Sequence, residues 1–190
     1  MPRHSNARQE MIQTAVDILR RRGAEATSFS AVLALSGAPR GSIYHHFPDG
    51  KSQLIEEATR WAGQFIAAGE VVTLERGTVY AVKMLGHYWR TILRDSDFEA
   101  GCPIVAVTVE GELRPRARDI AGEVFAGWEL PLAKSMQKEG LPPKRARSLA
   151  TTIIAAVEGA IVLARATKSM TPLDQVIEEL QGLIGAALDL

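Results

Sequence analysis

The sequence predicts an all-α fold, and three observations support that prediction. Apolar residues recur at intervals of three and four along nearly the whole chain, which is the spacing that one face of a helix requires. Glycines and prolines stand at most of the joints between these stretches. No convincing alternation of apolar and polar residues, the pattern typical of strands, is present; residues 105–109 form the one ambiguous run.

Three helices are predicted in the N-terminal part of the chain. The first has a candidate N-cap at Asn6 and a natural stop at Gly23. Ser28 can cap the second helix, and Gly37 allows a sharp turn after it. The third helix is predicted at about 39–46 and begins with a proline. Two short helices joined by a glycine turn are typical of a helix-turn-helix, whose second helix lies in the major groove of DNA.

The spacing of apolar residues predicts six more helices in the rest of the chain. Asp49 can cap the first of these, which runs to about residue 71. Pro131 lies inside a later helical pattern, so we expect that helix to kink or break a turn earlier, near Gly127 and Trp128. The five helices after residue 71 are predicted at about 79–94, 103–111, 115–139, 142–167 and 172–188.

Charge is distributed unevenly along the chain. The net charge is zero, but residues 1–55 hold seven Lys or Arg against four acids, so the remainder carries the balancing negative charge. A basic N-terminal part on an acidic body fits a small DNA-binding domain joined to a larger domain with another task. We therefore expect a helix-turn-helix domain at 1–50 and a helical domain at 51–190, linked by the helix at about 50–71.

The expected compartment is the cytoplasm. Cys102 is the single cysteine, which excludes an internal disulfide and suits a reducing environment. The first residues have no apolar core behind them, so we expect no secretory signal. Charges or glycines interrupt every candidate apolar run before it reaches the length of a membrane span, so we expect no membrane partner.

Polar side chains on the predicted third helix are candidates for contact with double-stranded DNA. Arg40 can donate to guanine, and Gly41 lets the backbone approach closely. Lys51 lies near a helix start, where free amides already favour an anion. The alternative is that Tyr44 and Phe47 are core residues beside a solvated face, and we accept it for Phe47. The candidate DNA contacts are Thr27, Ser28, Arg40, Gly41, Ser42, Tyr44, His45, His46 and Lys51.

This segment resembles the N-terminal signature of the TetR family of transcriptional regulators. The resemblance implies three short helices for DNA, a fourth linking helix, and a helical C-terminal domain that binds ligand and dimerises. The residues that carry it are Thr27, Ser28, Gly37, the run 40–47, Lys51 and Leu54.

Further residues resemble the LmrA/YxaF-like subgroup of that family. They are the Phe-Pro-x-Gly-Lys pattern at 47–51 and the Gly-Cys-Pro at 101–103. Two departures from the family pattern are visible. Pro39 stands where the family usually has a polar helix cap, and the turn at 48–50 is one residue longer than the commonest form.

Two apolar stripes on the last two predicted helices are candidates for a homodimer interface. Two such helices from each subunit would make a four-helix bundle. A two-fold dimer also places two recognition helices on a near-palindromic site. An ordinary intramolecular core explains the stripes equally well by themselves. The predicted interface residues are Leu149, Ile153, Val157, Ala160, Ile161, Ala164, Val176, Leu180, Ile184 and Leu188.

Aromatic residues and methionines of the middle helices are candidates for a ligand pocket. A kink near Pro131 opens space that aromatic side chains can line, which suits a small apolar or aromatic effector. For each single residue the alternative is plain core. The candidates are Phe65, Met84, His87, Tyr88, Trp89, Cys102, Phe125, Trp128 and Met136.

The leading hypothesis is a ligand-responsive repressor that an effector releases from its operator. No Cys/His spacing, Gly-rich phosphate loop or nucleophile motif is present, so we expect no metal, cofactor or catalytic residue. One alternative is a helical small-molecule-binding protein or enzyme with an incidental helix-turn-helix, for which the candidate acids are Glu110, Glu112 and Glu158. Two others are an activator with the same DNA-binding part and oxidant sensing by Cys102.

Overall fold

The computed structural model describes residues 4–110 and 115–189, with side chains from residue 7 onward. All regular structure in these residues is helical, including the ambiguous run at 105–109, which confirms the all-α prediction. Glu112 lies outside the described residues. The helices are α1 (His4–Ala26), α2 (Phe29–Ser36), α3 (Ser42–His46), α4 (Gly50–Leu74), α5 (Thr78–Asp95), α6 (Pro103–Val109), α7 (Pro115–Lys138), α8 (Pro143–Thr167) and α9 (Thr171–Ala187).

Two N-terminal boundaries differ from the prediction. Helix α1 begins at His4, so Asn6 lies inside the helix and not at its cap. The predicted stop at Gly23 is a break with φ 80°, although helical residues follow it. Helix α3 begins at Ser42, later than predicted, because the chain first makes a turn in which the Ser42 amide donates to the Pro39 carbonyl at 2.9 Å.

The chain forms two compact units. Unit 1 comprises the described residues of 1–64 and 102–124, and unit 2 those of 65–101 and 125–190. In unit 1, α1 packs against α2, α3 and α6. The boundary between the units by packing is therefore not the predicted domain boundary at residue 50, because the start of α4 and all of α6 join the N-terminal helices. The division of tasks between 1–50 and 51–190 stays a prediction.

In unit 2, α5, α8 and α9 pack against one another. Gly86 on α5 permits the close approach of α9, because a Cβ there would lie 2.8 Å from a side-chain carbon of Ile177. Trp89, Leu93 and Ile153 are fully buried and contribute to the core of this unit.

Helix α7 runs unbroken through Pro131, so it does not break near Gly127 and Trp128, and the alternative of a kink there stays a prediction. A proline inside a helix removes one backbone hydrogen bond and costs about 3 kcal/mol. The residues that follow it are well packed: Leu132 and Met136 are almost completely buried. We attribute the continuity of the helix to this packing, which offsets the cost of the proline.

Helix α8 contradicts the expectation that no apolar run is long enough to span a membrane. Among the described helices it alone is long and apolar enough to cross a membrane, with a mean hydropathy of 1.7 over its most apolar window. The core helix of a soluble protein passes the same test, and eight residues of α8 are buried inside unit 2. The helix is nevertheless apolar on its outer side as well, where Val162 and Leu163 are exposed.

Candidate DNA interface and ligand cavity

Helix α3 has an apolar side and an exposed polar side. Ile43 and Phe47 are completely buried, which confirms that Phe47 belongs to the core. Tyr44 is 67% exposed, and His45, Arg40 and Gly41 are exposed with it. Ser42 and His46 are half-buried. The buried side fixes the helix in unit 1, and the exposed side presents hydrogen-bond donors of the kind that contact bases and phosphates.

Helix α2 supports α3 in the way the sequence predicts. The hydroxyl of Ser28 caps α2 by accepting a hydrogen bond from the Ala31 amide at 3.2 Å. Gly37 ends the helix at φ 68°, a conformation that glycine adopts without strain. The rings of Phe29 and Tyr44 meet edge to face with centroids 5.4 Å apart. The aromatic contact sets the orientation of Tyr44.

Helix α1 fixes the end of α3 through Arg8. Its guanidinium lies over the Phe47 ring, 5.4 Å from the centroid, and forms an ion pair with Glu57 of α4. Phe47, which follows the last residue of α3, therefore packs under the guanidinium of Arg8, and Glu57 neutralises the charge of that guanidinium.

Thr27 is a predicted DNA contact that the structure places elsewhere. The residue is completely buried, and its hydroxyl donates to the Gly23 carbonyl at 2.9 Å. A buried and satisfied hydroxyl cannot reach a phosphate, so the role of Thr27 is structural. Ser28 remains half-buried at the start of α2.

Lys51 is held by the backbone of the α1–α2 connection. Its Nζ donates to the Glu25 carbonyl at 2.7 Å. The predicted position near the start of α4 is correct, since the helix begins at Gly50. In this conformation Lys51 positions the helix-turn-helix on α4, and its contact with phosphate stays a prediction.

Glu110 is a residue of unit 1 whose role the sequence did not reveal. Its Oε1 accepts from the Ala24 amide at 2.9 Å and its Oε2 from the Glu25 amide at 2.7 Å. A Cβ at Gly23 would overlap Oε1, so the glycine makes room for the carboxylate. These amides follow the break in α1, and the carboxylate replaces the acceptors that a continuous helix would supply. The partners are 86 residues apart, and no local signal connects them.

Unit 2 encloses a cavity of about 450 Å³. It is lined by residues of α4, α5, α7 and α8. Five predicted pocket residues line it: Phe65, Met84, Tyr88, Trp89 and Trp128. The volume is within the range of small-molecule sites, and the wall is mostly apolar and aromatic. Binding of a ligand there stays a prediction.

Four predicted pocket residues do not line this cavity. His87 points to solvent, whereas Met136 is completely buried in the core. Phe125 contacts Trp128 edge to face at 5.4 Å but is not part of the wall. Cys102 is buried in unit 1. Periodicity placed these residues on helices but did not distinguish the wall of a cavity from core or surface.

Two carboxylates line the cavity, Glu70 of α4 and Glu158 of α8. Burial raises the pKa of Glu70 from 4.5 to about 8. Its Oε2 is buried and has no hydrogen-bond partner among the described residues. The sequence named Glu158 as a candidate acid beside a pocket only under the enzyme alternative, and it did not single out Glu70, because glutamate on a helix is usually solvated.

The predicted dimer residues belong mostly to the core of a single chain. The residues Leu149, Ile153, Val157, Ala160, Ile161, Ala164, Leu180 and Ile184 are buried in unit 2, and Val176 and Leu188 are half-buried. Side chains without exposed surface cannot contact a second copy, so the intramolecular alternative is correct for these eight. The large apolar residues that α8 and α9 expose are Val162, Leu163 and Leu183, and the small ones are Ala155, Gly159, Ala166, Gly182 and Ala186.

The fold and the exposed recognition helix define a helix-turn-helix transcriptional regulator. The family model of bacterial regulatory proteins of the tetR family matches residues 11–58. The C-terminal domain of LmrA/YxaF-like transcriptional regulators matches residues 78–179. The chain belongs to the TetR family, as its sequence signature predicted.

Relatives extend this result over the whole chain. The HTH-type transcriptional regulator Rv0196 of Mycobacterium tuberculosis is 42% identical over 187 residues, covering 95% of each chain. The HTH-type transcriptional repressor DhaR of a Mycobacterium species is 27% identical over 184 residues, covering 90% of this chain and 88% of its own.

The fold itself matches solved structures. The regulatory protein TetR from Rhodobacter sphaeroides superimposes with a TM-score of 0.82 at 18% identity, covering 92% of this chain and 97% of that one. The matched families and relatives are transcriptional regulators and not enzymes, so the enzyme alternative is rejected.

Proposed function

We propose that this regulator is a ligand-responsive repressor in the cytoplasm. It binds a near-palindromic operator as a homodimer, and a small effector in the cavity of unit 2 releases it. The observation that carries the proposal is the two-sided character of α3, with Ile43 buried and Tyr44 exposed. The name of the relative DhaR as a repressor favours repression over activation.

In this proposal the residues on and just before α3 make different kinds of contact with DNA. Arg40 reads a base edge, because a guanidinium can donate twice to guanine. Tyr44 and the half-buried Ser42 fix the register by donating to phosphates. His45 and His46 add further hydrogen-bond donors beside them. Ser28 contributes from the start of α2, and Lys51 supports the motif from α4.

The proposed dimer uses the outer sides of α8 and α9. One side of α8 is buried in unit 2, and the other side exposes mostly apolar residues in its second half, after the exposed Thr151 and Thr152. Gly159 lets a second helix approach closely, and Val162, Leu163 and Leu183 supply apolar surface. A second copy of the chain is the occupant that reading a two-fold operator requires.

Helix α4 gives the proposed effector a path to the DNA-binding part. Its first residues follow α3 and include Lys51, whereas its last turns, from Phe65 to Thr73, line the cavity. A ligand that changes the preferred course of this helix shifts the balance between DNA-binding and released states. It can do so only by as much as its affinities for the two states differ.

Fluorescence anisotropy with a labelled operator duplex tests the assignment of α3. The duplex is first selected by the wild-type protein from a random library. Arg40→Ala is expected to weaken binding by about 1–3 kcal/mol, roughly 5- to 150-fold, with the oligomeric state unchanged. Arg94→Ala, which removes an exposed arginine of unit 2, is the matched control. Equal affinities of wild type and Arg40→Ala would overturn the assignment.

A further inference from the structure

The wall of the cavity has an unbalanced chemical composition. Tyr88, Trp89 and Trp128 contribute aromatic surface, and most other lining residues are aliphatic. The ionisable groups among the described lining residues are Glu70, Glu158 and Tyr88, and no Lys, Arg or His is among them. All the formal charge that this wall can carry is therefore negative.

Glu70 is the group in this wall that most lacks a partner. Its Oε2 is buried, and no described group donates to it. A buried carboxyl without a donor costs roughly 1–3 kcal/mol or more, and buried polar atoms are seldom left so in native proteins. Because burial raises the pKa of Glu70 to about 8, the side chain is mostly protonated at neutral pH when the cavity holds no cation.

We propose that the cavity binds an organic cation, whose positively charged nitrogen lies against Glu70 and Glu158 while its apolar or aromatic body fills the rest. This names the chemistry of the effector and so rests on the proposed function. An anion would find no cationic side chain among the described lining residues, and a neutral hydrocarbon would leave the buried Oε2 of Glu70 without a partner. The aromatic side chains offer a cation further attraction through their ring faces. No group of three metal-ligating side chains occurs among the described residues, so an organic cation is favoured over a metal ion.

A pair of probes of equal shape isolates the charge. The cation is (naphthalen-1-ylmethyl)trimethylammonium, and the neutral control is its carbon isostere 1-neopentylnaphthalene. Binding of each to the full-length protein is measured by titration calorimetry or by tryptophan fluorescence. We expect the cation to bind at least about 10-fold more tightly, because a charge is paired with a carboxylate inside an apolar wall.

Three variants assign the preference to the carboxylates. Glu70→Gln is expected to remove most of the preference for the cation while leaving the affinity of the neutral isostere unchanged, and Glu158→Gln to reduce it. Glu75→Gln, which removes an exposed carboxylate after the end of α4, is the matched control. Circular dichroism checks that each variant is folded. If Glu70→Gln does not fold, Glu158→Gln and the pH series on the wild type decide.

The pH series uses the fact that the quaternary ammonium probe does not titrate. Because the pKa of Glu70 is about 8, affinity for the cation should rise roughly 20-fold from about pH 6.5 to about pH 8.5. Glu70→Gln should flatten this dependence.

Each other outcome overturns the proposal. It fails if the neutral isostere binds as well as the cation, if neither probe binds, or if the preference survives in both carboxylate variants. Operator affinity, measured on the same preparations, separates this failure from that of the proposed function. If the wild-type protein binds its operator but shows no preference for the cation, the proposed cation site is wrong and the proposed function stands.

Discussion

The two units hold half-buried carboxylates in opposite ways. In unit 1 both oxygens of Glu110 accept hydrogen bonds from the backbone amides of Ala24 and Glu25. In unit 2 an oxygen of Glu70 is buried without a donor among the described groups. The carboxylate thus stabilises the fold of unit 1, whereas in unit 2 one of its oxygens lacks a hydrogen-bond donor that a ligand could supply.

The exposed sides of α3 in unit 1 and α8 in unit 2 also differ. The side of α3 that faces solvent, with the turn before it, carries Arg40, Tyr44 and His45, whereas that of α8 carries Val162 and Leu163. The comparison shows that each helix presents the chemistry of the partner proposed for it, DNA for α3 and a second copy of the chain for α8.

The largest expected effect is on the outer surface of unit 2. Leu163→Arg places a charge in the proposed dimer interface, so the protein should become monomeric and lose operator affinity by at least about 1,000-fold, the usual gap between specific and non-specific binding. Analytical ultracentrifugation measures the first effect and anisotropy the second. Leu130→Arg is the matched control, because Leu130 and Leu163 are each 55% exposed. A dimeric Leu163→Arg would place the interface elsewhere, and a membrane-associated wild type would argue against a second copy as the occupant of α8.

The next largest effect tests the satisfied carboxylate. Glu110→Ala leaves the amides of Ala24 and Glu25 without acceptors, which should lower the free energy of unfolding by about 2–4 kcal/mol. Glu110→Gln keeps one acceptor oxygen and should lose less. Urea denaturation followed by circular dichroism measures both. Glu179→Ala, at an exposed position of α9, should change stability by less than about 0.5 kcal/mol. A Glu110→Ala variant as stable as that control would remove the contrast between the units.

Substitution of Glu70, whose Oε2 lacks a donor, should instead raise the stability of the folded protein. The pKa of Glu70 is about 8 in the folded protein and near 4.5 when exposed, so the folded state holds the proton more tightly. Wild-type stability should therefore fall as pH rises from about 4.5 to about 8, and Glu70→Gln should abolish that loss. Glu70 is only half-buried, and solvent weakens the effect, so we expect the variant to be about 2 kcal/mol more stable at about pH 8.5 and nearly equal at about pH 4.5. Urea denaturation at the two pH values checks this, and parallel curves for both proteins would contradict it.

The smallest expected effect sharpens the description of α3. Tyr44→Phe removes one hydroxyl but keeps the ring contact with Phe29, so stability should not change. Operator affinity should fall by about 1 kcal/mol, roughly 5-fold, if the hydroxyl donates to a phosphate. Tyr80→Phe in unit 2 is the control for anisotropy. A loss of stability without loss of affinity would mean that Tyr44 is structural only.

Features that depend on neighbouring residues were predictable from the sequence. The cap at Ser28, the left-handed Gly37 and the buried Phe47 lie within one short segment, where helix propensity and glycine freedom act locally. The late start of α3 was missed, because a turn after Pro39 and a first helical turn look alike in sequence.

Features that depend on distant residues were not predictable. Periodicity shows that one side of α8 is buried but not against what, so the stripe through Ile153 was assigned to a dimer when it packs within the chain. Glu110 and Glu70 acquire their roles only from residues brought together by folding. No pattern in the sequence marks either residue, because neither a contact between distant segments nor the chemistry of a cavity wall has a period to detect.

The space at Gly23 has an evolutionary consequence. Any side chain there would occupy the volume taken by the Glu110 carboxylate, and the backbone at φ 80° already favours glycine. We therefore expect the two positions to constrain each other in evolution despite their separation along the chain. Shortening Glu110 should relieve the overlap in Gly23→Ala but recover only part of the lost stability, because the backbone strain remains.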